Sequence, residues 1–68
     1  MLSARNQLVG TIKSVQFGTI MAEVVVDVNG QEVVSVITRS SAESLKLAVG
    51  DRVKAVIKST EVLIDKNV

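Results

Sequence analysis

Sixty-eight residues, with no Cys, no His, eight Lys or Arg and seven Asp or Glu, make a chain of formal net charge +1. These totals exclude a disulfide framework, a Cys/His metal centre, a thiolate or imidazole catalyst and a long-range positive field able to gather nucleic acid. A core this small is marginal; with disulfides and structural zinc ruled out, the 47% hydrophobic content predicts a homo-oligomer whose copies supplement one another.

In chain order, Leu8, Gly10, Ile12 and, after a one-residue slip, Val15 and Phe17 predict a first strand over residues 8–17, with Gly10 at a bend or bulge. Gly18 ends it. Over residues 19–28 the alternation is regular: Ile20, Ala22, Val24, Val26 and Val28 share one face of a half-buried second strand. Asn29 and Gly30 tolerate the positive φ that a type I′ hairpin turn requires, so a third strand is expected over residues 31–38. Ser40 and Glu43 have the spacing of a capping box, with Ser40 as N-cap of a short helix running toward Leu45. Gly50 and Asp51 turn the chain into a fourth strand, where Val53, Ala55 and Ile57 alternate with Arg52, Lys54, Val56 and Lys58. Val62, Leu63 and Ile64 are expected to form a fifth. The fold class is therefore all-β: a small five-stranded barrel of the oligonucleotide-binding-like kind with one short helix, a single domain over residues 1–68.

The seven carboxylates are spread singly, with no pair spaced for acid–base work and no calcium loop, and no Gly-rich phosphate loop is present. An enzyme is not expected. Three short segments instead concentrate hydrogen-bond donors: Ser3, Ala4, Arg5 and Asn6; residues 38–41, with Thr38 and Ser41; and Lys58, Ser59 and Thr60. Hydroxyls, backbone N–H groups and one or two cations can satisfy the four oxygens of a tetrahedral dianion, and the start of the short helix adds its positive end. Each segment also has an ordinary reading: Ser40 as a cap, Arg5 as a solvated charge, Lys58 to Thr60 as a turn.

Taken together, the run Ser3, Ala4, Arg5, Asn6, Gln7, the following Gly10, residues 18–24, then Ile37, Thr38 and Ser41, and finally residues 56–62 with Lys58, Ser59 and Thr60 resemble the molbindin (Mop) family over essentially the whole chain. The resemblance implies a hexamer built from dimers, with molybdate or tungstate held between subunits and molybdenum entering as the oxyanion, without direct protein ligands to the metal or a catalytic cofactor. It implies that Ser3, Ala4, Arg5 and Asn6 of one subunit meet Thr38, Ser41, Lys58 and Ser59 of a neighbour. It further implies anions on symmetry axes, for which the backbone of residues 18–22 is the candidate.

A site made of donors alone disfavours phosphate, which usually carries a proton at neutral pH; burying that proton without an acceptor costs about 1–3 kcal/mol. Sulfate is fully ionised but smaller than molybdate. The expected role is storage or homeostasis of the oxyanion in the cytoplasm, since the chain lacks a signal segment or an apolar run of membrane length. One alternative is a single-stranded nucleic-acid-binding barrel, disfavoured because Phe17 is the one aromatic residue. Another is an isolated regulatory domain of a molybdate transporter ATPase or transcription regulator, disfavoured by the opening Met1 and by the length, which suits a free-standing member. The repetition of Ile12, Lys13, Ser14 as Ile57, Lys58, Ser59 reads as coincidence.

Overall fold

The computed structural model describes residues 4–68. Four strands, β1 (Asn6–Phe17), β2 (Met21–Val28), β3 (Gln31–Thr38) and β4 (Arg52–Ile57), form one antiparallel sheet of order β3-β2-β1-β4, with helix α1 (Arg39–Ser44) between β3 and β4. The sheet curls into a half-barrel because β1 serves two partners. Its first half, from Asn6 to Thr11, pairs with β4, and its second half, from Thr11 to Phe17, pairs with β2.

The change of partner coincides with a bulge. Ile12 stands opposite Val26 and Val15 opposite Val24, so Lys13 and Ser14 together oppose Val25. A bulge of this kind bends its strand and raises the local twist. It also explains the slip in the hydrophobic pattern: the inserted residue brings Val15 inward beside buried Ile12, where an unbroken period of two would have placed Ser14. The turn before β4 braces the bend, with Gly50 N–H donating to Ile12 C=O and Ile12 N–H to Asp51 C=O, both at 2.9 Å.

Gly10 lies two residues before this bulge and has a different task. A Cβ there would stand 2.5 Å from the Asp27 carbonyl oxygen and 2.7 Å from Val26 Cγ1, so the strand crosses closely over β2 and only glycine fits. The hairpin between β2 and β3 follows its sequence signal, with φ of 51° at Asn29 and 87° at Gly30. Inside the curl, Ile12, Val24 and Val26 form the core, with Val15, Val28, Ile37, Leu47 and Val53 packed around them.

Three expectations need correction. β2 begins at Met21, and Ile20 is 73% exposed in the β1–β2 turn, because Gly18 N–H closes that turn onto Met21 C=O at 2.7 Å before the ladder starts. The N-cap of α1 is Thr38: its hydroxyl accepts from Ser41 N–H at 3.2 Å, and Glu43 pairs with Arg39 instead of reaching back to Ser40. The helix start is set at Arg39 because the Arg39 N–H is already bound to Ile20 C=O at 2.7 Å. Finally, the described residues contain four strands, not five. After β4 the chain enters a 3-10 turn at Ser59–Glu61, closed by Glu61 N–H on Lys58 C=O, and leaves Leu63 93% and Ile64 90% exposed with no ladder to join.

The half-barrel is open on one side. A groove of about 670 Å³ runs between β3 and β4 and is floored by core residues including Ile12, Val24 and Val53. Among the described residues, no helix is long and apolar enough to cross a membrane.

Candidate functional site

Of the first donor segment, Ser3 lies outside the described residues. Ala4 C=O accepts from Gln7 Nε2 at 2.7 Å, which folds the residues before β1 back on the strand. Arg5 is exposed, and Asn6, half-buried, opens β1 opposite Ile57. That rung decides where the third segment goes. Lys58 and Ser59 follow Ile57 directly, so they leave the sheet at the end where Arg5 enters it. Lys58 is extended and exposed at the head of the 3-10 turn, and Ser59 is the first residue within it. The two Ile-Lys-Ser triplets are therefore not equivalent: Lys13 lies at a bulge, Lys58 beyond a strand end.

The second segment sits at the other end of β1. Phe17, the last residue of β1, pairs with Ala22, which pairs with Ile37, the neighbour of Thr38. At that corner the Thr38 hydroxyl accepts from Ser41 N–H and donates to Ser41 Oγ at 2.7 Å. With Thr38's proton so used, the hydroxyl of exposed Ser41 keeps its own proton available to donate. The two groups of donors are separated by the length of a 12-residue strand, on the order of 35 Å when extended at about 3.3 Å per residue and less in a curled sheet.

Among the described residues the ion pairs are Lys13–Glu32 at 2.5 Å and Arg39–Glu43 at 3.3 Å, so no carboxylate there neutralises Arg5 or Lys58. Lys13 is held above its ordinary pKa by its hydrogen bond to Glu32 and by that carboxylate's charge. No group of three or more acidic, His or Cys side chains suited to a metal ion occurs among the described residues.

Arg39 was not singled out by sequence reasoning, although its i,i+4 relation to Glu43 was visible there. Its Nη1 donates to Gly18 C=O at 3.1 Å and its guanidinium lies 5.5 Å from the centroid of the Phe17 ring. Of the backbone donors suspected in residues 18–22, the Gly18 N–H is already engaged by Met21 C=O.

A curled antiparallel sheet with an open inner groove, with cations and hydroxyls gathered at its strand ends, defines a small β-type binding module. The TOBE domain model matches residues 2–64, and the chain belongs to that family. It is 45% identical over 64 residues to molybdenum-pterin-binding protein 3 of Clostridium pasteurianum, covering 93% of this chain and 94% of that one. Its structure is similar to that of a molybdate-binding protein from Sporomusa ovata, with a TM-score of 0.94, 42% identity, and coverage of 97% of this chain and 98% of the other. It is also similar to the cytoplasmic molybdate-binding protein ModG in a form with molybdate bound, with a TM-score of 0.81 and 40% identity over 87% of this chain and 43% of that one. These relatives are binding proteins, and they bear out the resemblance to molbindin read from the residues.

Proposed function

We propose that this chain binds molybdate as the intact oxyanion, at a seam between copies of itself. The observation that carries molybdate binding is the match, over nearly the full length of both chains, to a molybdate-binding protein of the same fold. The binding groups are Ala4, Arg5 and Asn6, with Lys58 and Ser59, from one end of the sheet, Thr38 and Ser41 from the other, and Ser3, which lies outside the described residues.

Two features support the seam. First, Arg5, Thr38, Ser41, Lys58 and Ser59 are all exposed in the single chain, whereas discrimination among tetrahedral anions by size requires donors on several sides and removal of water. A second copy supplies both by setting the Thr38 corner of one chain against the Arg5–Lys58 end of another. In this arrangement Lys58 and Ser59 come from the same subunit as Arg5, a different allotment from that implied by the resemblance. Second, among the described residues the apolar segment Val62, Leu63, Ile64 joins no strand ladder, and the groove between β3 and β4 is open to solvent on one side. Placing this segment from one copy against the open sheet of another completes a five-stranded barrel and builds the homo-oligomer, a hexamer in the reading by resemblance. Tungstate, with the same charge and shape, occupies the same site. The protein stores or buffers the oxyanion in the cytoplasm and performs no catalysis.

The nucleic-acid reading lacks a stacking platform, since Phe17 lies beneath the Arg39 guanidinium. The test is calorimetric titration of the protein with molybdate, tungstate, sulfate and phosphate, combined with light scattering for mass. Molybdate and tungstate should compete for one site and sulfate and phosphate should compete weakly. No heat with molybdate, or equal competition by sulfate, would refute the reading.

A further inference from the structure

We infer that Arg39 is a positioning residue for the anion site, clamping the corner that presents Thr38 and Ser41 through its hold on Phe17 and the β1–β2 turn. This inference rests on the molybdate-binding reading above, because it concerns how one half of that site is held.

α1 has only six residues, far below the length at which a helix is stable in water by itself, so its orientation must come from tertiary contacts. One is burial: Ala42 is fully buried against the sheet. The other is Arg39. Its backbone N–H bonds Ile20 C=O at 2.7 Å, its Nη1 bonds Gly18 C=O at 3.1 Å, its Nε pairs with Glu43 at 3.3 Å, and its guanidinium lies over the Phe17 ring. Four tethers thus join the end of β1, the β1–β2 turn and α1 at a residue flanked by Thr38 and Ser40. Ala42 fixes the depth of the helix on the sheet, and the Arg39 clamp fixes its rotation, hence the direction in which the Ser41 hydroxyl points.

The task suits arginine. Its planar fork can donate in two directions while its face rests on an aromatic ring, whereas a lysine ammonium can take one carbonyl but cannot reproduce the fork and the stack together. Selection between molybdate and the smaller sulfate depends on donors held at fixed separation. A looser corner lets Ser41 follow a smaller anion, so molybdate binding weakens and discrimination falls.

The experiment measures Kd for molybdate and for sulfate by calorimetry on wild type and on Arg39→Lys, Arg39→Ala, Phe17→Leu and the Arg39→Ala/Phe17→Leu double variant, with thermal melting of each. Both residues are about half exposed, 45% for the Arg39 side chain and 47% for Phe17, so Arg39→Lys and Phe17→Leu should fold even if the alanine variant does not. The expected loss of molybdate affinity is about tenfold for Arg39→Ala, at the low end of what outer partners of metal-binding groups contribute. The ratio of the two Kd values should shrink in Arg39→Lys and Phe17→Leu, and the double variant should be no worse than Arg39→Ala. Phe17 has no donor, so a loss of selectivity there cannot come from a missing contact to the anion. Full rescue by Arg39→Lys with Phe17→Leu unchanged would overturn the clamp, as would variants that alter melting temperature but neither Kd. Wild type that fails to bind molybdate would instead bring down the functional reading itself.

Discussion

Asn6 faces Ile57 across the β1–β4 ladder, and through that rung the residues before β1 and those after β4 leave the sheet at the same end. Arg5 and Lys58, the two cations of the proposed site, are thereby neighbours of one strand end in a single chain. Their mutual repulsion is tolerable only in water or beside an anion.

Removing either cation should therefore cost affinity severely. Charge-assisted hydrogen bonds contribute about 1.5–3 kcal/mol each, so Arg5→Ala and Lys58→Ala should each weaken molybdate binding by roughly one to two orders of magnitude. Ser41→Ala, which deletes a neutral donor, should cost less. Calorimetry on the three variants checks the order; unchanged affinity in all three would place the site elsewhere.

The C-terminal apolar segment should report on assembly. Leu63 is 93% exposed in the single chain, so Leu63→Asp has little to disturb there, yet it should prevent packing into the groove of a second copy. Sedimentation should show wild type as an oligomer and the variant shifted toward the 7.2 kDa chain. A wild type that sediments as a monomer would contradict the seam.

At Gly10 the prediction concerns stability. A methyl group there overlaps the Asp27 carbonyl, a backbone atom that cannot swing aside, and overpacking of this kind typically costs about 1–3 kcal/mol. Gly10→Ala should lower the melting temperature by several degrees or more. An unchanged melting curve would mean that β1 and β2 are not so closely apposed.

The helix cap offers a paired comparison. Thr38 holds the Ser41 N–H, whereas the Ser40 side chain caps nothing. Thr38→Ala should destabilise by about 1 kcal/mol, and Ser40→Ala should stay within about 0.5 kcal/mol of wild type, as chemical denaturation can resolve.

Lys13 sets an alkaline dependence. Because Glu32 raises its pKa above the ordinary 10.5 in the folded chain, the pair stabilises the fold fully below the unfolded value. That contribution is lost as pH rises through the folded value. Lys13→Met should remove the small decline in stability above about pH 10.5; the pair is exposed and screened, so the effect is slight. A decline of the same size in the variant would assign it to other groups.

Much of the sheet was legible in advance, because it depends on periods and turns local to the chain. The alternation through Ala22, Val24 and Val26 marks an inner face, Asn29 and Gly30 supply the two positive φ angles of the hairpin, and the slip between Ile12 and Val15 records a bulge in the pattern of apolar residues itself. The donor segments, too, could be picked out by residue type. Their grouping could not: Lys58 belongs beside Arg5 because of the β1–β4 register, a pairing between residues some fifty apart in the chain, and sequence spacing carries no information about it. The helix cap is hidden from sequence spacing for the same reason, since the Ile20 carbonyl that starts α1 at Arg39 comes from a distant turn. Nor could alternation or composition place Val62, Leu63 and Ile64 in a ladder. A strand exists only where another strand offers it hydrogen bonds, and among the described residues no strand pairs with this segment.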